Sequence, residues 1–205
     1  MIRRQFLMLT GVLGLFACSK PAEKAPPPAP APKHLPDTGL DVPPDTVRVA
    51  LTTSEGEIVL ELDGKHAPQS TANFLHYVDT HKLDDGTVYR AIRAGNAGFI
   101  QFNSGDRTYP PIPHEPTTQT GLSHIDGAIS TARYAIGTAS NEFTICIGDM
   151  TYLDAGGTAT PDRQGYAVFG HVISGMDIVK RILHSRISGE NLVKPVVITS
   201  AHRIA

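Results

Sequence analysis

Thr87-Val88-Tyr89-Arg90-Ala91-Ile92-Arg93, a glycine-containing turn, and then Phe99-Ile100-Gln101 set a guanidinium and a carboxamide close together between apolar strand residues. A cationic fork on a strand is costly to bury unless a carboxylate or a polar group of a ligand meets it. Arg90 therefore either pairs with an acid such as Glu142 or waits for a bound group, and both can hold together. Outward from this pair the chain reads mainly as strand. Val47-Arg48-Val49-Ala50-Leu51-Thr52-Thr53 and Glu57-Ile58-Val59-Leu60-Glu61-Leu62-Asp63 flank Ser54-Glu55-Gly56, a hairpin with a glycine-assisted turn. Further strands are expected over 87–92, 127–133, 143–147, 166–172 and 196–202. Two segments carry helical periodicity instead. One starts at Ala67-Pro68, with proline suited to a first turn, and brings Ala72, Phe74, Leu75 and Val78 to one side. The other starts near Ser174, a candidate N-cap, and runs through Met176, Ile178, Val179, Ile182 and Leu183. Many short strands with two helices point to a closed barrel or sandwich capped by those helices.

Not all of the 205 residues belong to that domain. Arg3-Arg4 precedes an apolar run over 6–17, the layout of an export signal and too short to span a membrane. Arg3-Arg4-Gln5-Phe6-Leu7 also resembles the core of a twin-arginine signal, the alternative to the general export route. Leu15-Phe16-Ala17-Cys18-Ser19 resembles a bacterial lipobox, in which the cysteine is lipidated and becomes the first residue. The alternative is an ordinary secretory signal followed by a chance cysteine. Nine of the 16 prolines fall within 20–46, among Ala, Lys and Asp. Such a stretch cannot bury enough surface to offset its ordering entropy, and its prolines favour extended geometry. The expected organisation is an export signal over 1–17, a proline-rich tether over 18–46 and one folded domain over 47–205. The expected location is the bacterial cell envelope, with the domain in the periplasm and the membrane reached through lipidated Cys18.

Composition removes several classes of function. A net charge of −2 and no basic cluster in the domain argue against nucleic acid as a partner. With Cys18 assigned to lipid, Cys146 stands alone and reads as a buried strand residue, so no internal disulfide supports the domain. The nine histidines show no ligand spacing around a third partner, and no metal or other cofactor is expected. No serine sits in a Gly-x-Ser-x-Gly elbow. The small polar loop over 154–162 reads as a surface loop, since the alternative, a phosphate-binding turn, lacks its lysine.

Eight pieces carry a family resemblance, in order along nearly the whole domain. They are Ala67-Pro68 with Asn73-Phe74; Asp85-Gly86-Thr87-Val88-Tyr89-Arg90; Phe99-Ile100-Gln101; Gly127-Ala128-Ile129-Ser130-Thr131-Ala132; Ser140-Asn141-Glu142-Phe143-Thr144-Ile145; Tyr152-Leu153-Asp154; Tyr166-Ala167-Val168-Phe169-Gly170-His171-Val172; and Gly175-Met176-Asp177-Ile178-Val179. Together they resemble a cyclophilin, the barrel-fold class of peptidyl-prolyl cis-trans isomerases. The resemblance implies a mainly β fold, a closed eight-stranded antiparallel barrel with a helix over each end. It implies Arg90 and Gln101 as catalytic residues, Arg90 donating toward the prolyl nitrogen and Gln101 orienting it. It implies a substrate surface from Phe99, Ala132, Glu142, Phe143, Thr144, Tyr152, Leu153 and Tyr166. The implied partners are proline-containing polypeptides, met by a monomer.

The chain also departs from the family's pattern. Phe102-Asn103 stands where a glycine pair normally follows the glutamine, Ala97-Gly98-Phe99 replaces a Phe-Met pair, and Tyr152 and Tyr166 replace Trp and His. Thr144 takes the place of the second of two adjacent aromatics, which normally floors the proline pocket. Losing that ring removes apolar contact worth about 0.8 kcal/mol per buried methylene and predicts a shallower pocket with slower turnover. Two functions follow: an envelope foldase that isomerises Xaa-Pro bonds, or a non-catalytic peptide-binding or chaperone module that keeps the groove. Retention of Arg90, Gln101 and Phe143 favours the enzyme.

Overall fold

Alternation of apolar and polar residues decides which way each strand faces. In the sequence Thr46–Thr53 (β1) and Gly56–Asp63 (β2), every second side chain is apolar, and the two strands pair antiparallel from Thr46↔Asp63 to Thr53↔Gly56. Val49, Leu51, Ile58, Leu60 and Leu62 are buried on the shared inner face. A computed structural model describes residues 34–205 and continues this hairpin into a ring. The remaining strands are Thr87–Ala94 (β3), Ala97–Asn103 (β4), Ala128–Thr131 (β5), Glu142–Ile147 (β6), Ala167–Ser174 (β7), Ile187–Ser188 (β8) and Asn191–Ile204 (β9). Their order is β1-β2-β7-β5-β6-β4-β3-β9, and β9 pairs back onto β1. The result is the closed eight-stranded antiparallel barrel, with the two-residue β8 attached to β9. Closure leaves no barrel strand with an open edge.

The barrel is filled by side chains. Phe74, Phe102, Phe143 and Phe169 are fully buried, and Phe74 meets Phe143 edge to face at 4.9 Å between ring centres. Phe74 comes from helix Pro68–Asp79 (α1), which also buries Ala72, Leu75 and Val78 as its periodicity predicts. Helix Met176–Leu183 (α3) packs Val179, Ile182 and Leu183. Its first turn differs from expectation: Ser174 ends β7, and the N-cap is Gly175 at φ +87°. A Cβ there would come 2.5 Å from the carbonyl oxygen of Glu57, so the close strand approach requires glycine whatever a serine could cap. A third helix, Thr117–Thr120 (α2), adds to the two expected; four residues are too few to carry a periodic signal.

The tether expected over 18–46 gives way to packed chain before its end. Leu35 and Pro43 are buried, and Thr38 Oγ1 donates to Gln69 Oε1 at 3.1 Å. Pro43 and Pro44 lie so close to Gly64 that a Cβ there would be 2.2 Å from the Pro44 carbonyl oxygen. The folded unit therefore starts upstream of residue 47. The export signal, Cys18 and the earlier part of the tether lie outside the described residues.

Helix α1 has no capping side chain of its own. Glu115, from the loop before α2, supplies one across space: its carboxylate accepts from Gln69 N at 2.9 Å, Ser70 N at 2.8 Å and Ser70 Oγ at 2.7 Å, and the residue is 2% exposed. A carboxylate there satisfies orphan N–H groups and complements the helix dipole. Replacing Glu115→Ala strands three donors in a dry site and should lower the unfolding free energy by about 3 kcal/mol or more. The urea midpoint should fall with little change in slope; an unchanged midpoint would show that the cap contributes nothing.

Candidate active site

Two consecutive residues of an ordinary strand point to opposite faces, yet Tyr89 and Arg90 both leave the barrel on its outside. The cause is a bulge. Val88 faces Phe102 and Arg90 faces Gln101, so Tyr89 is the extra residue, while Val88 and Ala91 on either side stay buried. From Arg90 a row of neighbours crosses the sheet: Gln101 on β4, Thr144 on β6 and Ser130 on β5. The next row holds Asn103 opposite Glu142.

Hydrogen bonding fixes how these groups point. Glu142 carries a carboxylate, which accepts only. It takes Tyr89 Oη at 2.8 Å and Gln101 Nε2 at 2.8 Å on one oxygen, and Asn103 Nδ2 at 2.7 Å on the other. With its amide nitrogen committed to Glu142, Gln101 must turn Oε1 to Arg90, and Nη1 of Arg90 donates to it at 2.8 Å. Burial, then the Glu142 hydrogen bond and charge, push the Tyr89 hydroxyl well above its ordinary pKa and keep it a donor. The ion pair of Arg90 is not with Glu142: Nε, at 2.9 Å, and Nη2 both donate to Glu190 Oε2. Glu142 reaches the guanidinium through Gln101. Nothing in the local pattern around Arg90 announced Glu190, which lies 100 residues on, in the turn between β8 and β9.

A cavity of about 510 Å³ opens beside this row. Of the residues expected to bind substrate, Phe99, Ala132, Glu142, Thr144, Leu153 and Tyr166 line it together with Arg90 and Gln101. Phe143 does not. Strand alternation turns it inward, where it is fully buried against Phe74, Phe102 and Phe169. Tyr152 does not line the cavity either, and the residue stands 42% exposed in the short turn Thr151–Leu153 that places Leu153. Threonine is smaller than an aromatic ring and carries a hydroxyl, so the floor at Thr144 is polar. Thr144 Oγ1 and Ser130 Oγ share a hydrogen bond at 2.7 Å beneath it. The Phe102-Asn103 departure is absorbed by the barrel, Phe102 filling the core while Asn103 joins the Glu142 cluster.

The far wall is a loop pinned by ions. Arg133, 8% exposed, donates through Nη1 at 2.8 Å and Nη2 at 2.9 Å to the two carboxylate oxygens of Asp162, and through Nε to the Gly165 carbonyl. This clamp ties Tyr134 and Thr138 on one rim to Tyr166 on the other. Beneath Leu153, Ser123 Oγ and the ring of buried His124 both meet Asp154. They serve the same carboxylate rather than each other, so no nucleophile and base are paired there. Cys146 is buried in the outer apolar cluster with Leu153 and Val168, and burial pushes its thiol up to about 12, in keeping with a structural residue. Among the described residues no group of acidic, histidine and cysteine side chains is arranged to hold a metal.

The model of the family described as cyclophilin type peptidyl-prolyl cis-trans isomerase/CLD matches residues 48–203. The chain belongs to this family. Its activity is that of a peptidyl-prolyl cis-trans isomerase. It is 36% identical to peptidyl-prolyl cis-trans isomerase A of Dickeya dadantii over 76% of this chain and 84% of that one. It is 30% identical to peptidyl-prolyl cis-trans isomerase B of Escherichia coli over 65% and 82%. In fold it is similar to the crystal structure of a Cryptosporidium parvum cyclophilin type peptidyl-prolyl cis-trans isomerase, with a TM-score of 0.66 at 16% identity, covering 78% of this chain and 98% of that one.

The rim clamp of this cyclophilin has a pH signature. Hydrogen bonds from Arg133, then from the Gln164 N–H, hold the Asp162 carboxyl well below the usual carboxylate range. A depressed carboxylate contributes stability above its unfolded pKa and loses it as pH falls through the lowered folded value. Asp162→Asn should therefore lower Tm at neutral pH, with the gap to wild type narrowing steadily below about pH 5. A gap independent of pH would show that the Arg133 pair does not depend on the charge of Asp162.

Proposed function

We propose that this cyclophilin isomerises Xaa-Pro bonds in polypeptides exported to the bacterial cell envelope, working as a lipid-anchored monomer in the periplasm. The observation that carries the catalytic part is the Arg90 guanidinium, held from two sides at the wall of a cavity while one hydrogen on each of Nη1 and Nη2 remains free. Rotation about the bond is opposed by about 18–20 kcal/mol because the amide nitrogen shares its lone pair with the carbonyl. A donor aimed at the prolyl nitrogen gains strength as that lone pair localises in the twisted state. It therefore stabilises the transition state more than the ground state. Phe99, Ala132, Leu153 and Tyr166 enclose the ring, and Gln101 and Glu142 orient the arginine and meet the peptide backbone. No proton moves and no covalent bond breaks.

The envelope assignment rests on Arg3-Arg4, the apolar run over 6–17 and Cys18. One observation favours a second reading, a peptide-binding module with weak catalysis: the Thr144–Ser130 hydroxyl pair at the floor, where a ring would otherwise give apolar contact. Exchange rates on a short Xaa-Pro peptide separate the two. Wild type should accelerate exchange, and Arg90→Ala should reduce kcat/KM by roughly 10²-fold. Thr144→Phe should raise it about fourfold for each methylene equivalent of contact regained. A folded wild type that does not accelerate exchange would leave the binding module. Mass analysis of the amino-terminal peptide should find Cys18 lipidated in membrane fractions; an unmodified Cys18 there would remove the anchor.

A further inference from the structure

We infer that Glu190 is a positioning residue for isomerisation, holding the Arg90 guanidinium in its donating orientation from outside the cavity. The inference rests on the reading of Arg90 as the group that meets the prolyl nitrogen. Gln101 takes one hydrogen of Nη1, which leaves the rest of a long side chain free to swing about that contact. Glu190 removes that freedom: a single carboxylate oxygen accepts from Nε and Nη2, on the edge of the fork away from Gln101. The acid is itself fixed by backbone. Its carbonyl oxygen accepts from Ala91 N at 2.9 Å, and Arg90 pairs in register with Asn191, so the turn that carries Glu190 is sewn to the strand that carries Arg90. Glu190 does not line the cavity. It touches the arginine and not the substrate.

An acid paired with a donor can act in two opposed ways: it restrains the donor's position, and it draws off part of its positive charge. Solvent exposure decides between them. The Glu190 side chain is 58% exposed and that of Arg90 33%, so water screens the charge effect, whereas the geometric restraint persists. Positioning therefore dominates, and its effect belongs to kcat, because the contact it improves strengthens in the transition state.

The test uses the full chain with Glu190→Ala, Glu190→Gln and Arg90→Ala. Glu190→Ala should lower kcat about fivefold with KM little changed, since side-chain freedom is returned to the arginine. Glu190→Gln keeps an oxygen acceptor for Nε and Nη2 without the charge, and should recover to within about twofold of wild type. In the same proteins the Arg90 Nε–H resonance should be protected from solvent exchange in wild type and Glu190→Gln and lose protection in Glu190→Ala. Unchanged kcat in Glu190→Ala, with Arg90→Ala inactive, would overturn the positioning role alone. A Glu190→Gln faster than wild type would overturn it in favour of charge damping. A wild type whose activity does not depend on Arg90 would overturn it together with the reading beneath it.

Discussion

The bulge at Tyr89 is the constraint on which the site depends. Without it, an arginine on β3 and the tyrosine before it would face opposite sides of the barrel, and one of them would enter an interior already filled by Phe74, Phe102, Phe143 and Phe169. One extra residue keeps Val88 and Ala91 inside while Tyr89 and Arg90 leave together. Glu142, across on β6, is then within reach of Tyr89, Gln101 and Asn103 at once. A carboxylate that accepts from all three removes the ambiguity of the Gln101 amide, and that in turn aims the arginine. Each step is local, and each follows from strand register and the donor or acceptor character of a side chain.

The cavity belongs to the outside of the barrel rather than its interior. The interior is closed by aromatic packing, and a second apolar cluster of Ala128, Cys146, Met150, Leu153 and Val168 forms on the outer face under the loop over 148–165. Folding and ligand binding thus use different faces of the same strands. On β6 the alternation is plain: Phe143 serves the core, and Thr144 serves the floor of the cavity. That separation explains how a residue as central to the family's pocket as the one at Thr144 can change while the barrel stays intact.

Much of the fold was legible because period-two alternation and the β1–β2 turn are strong local signals, and helix α1 shows both its proline start and its apolar stripe. Arg90 and Gln101 stood out for the same reason, polar groups in apolar strands. What was not legible depends on distance. Gly175 rather than Ser174 opens α3 because of the Glu57 backbone, more than a hundred residues away in sequence. Glu190 meets Arg90 only once β9 closes the ring, and Leu35 and Pro43 pack although their surroundings are rich in proline. The family resemblance counts Phe143 with the substrate surface beside Thr144, but a one-residue step along a strand reverses the face.

In the proposed mechanism catalysis needs a planar fork, held at two edges and free at a third, and not merely a positive charge. Arg90→Lys tests it most directly by exchange spectroscopy on an Xaa-Pro peptide. A lysine keeps the charge, but its single ammonium cannot reach Gln101, Glu190 and the prolyl nitrogen together. The Arg90→Lys rate should fall within about twofold of the Arg90→Ala rate. A lysine variant that keeps most of the wild-type rate would contradict it, and would make the arginine's role one of charge alone.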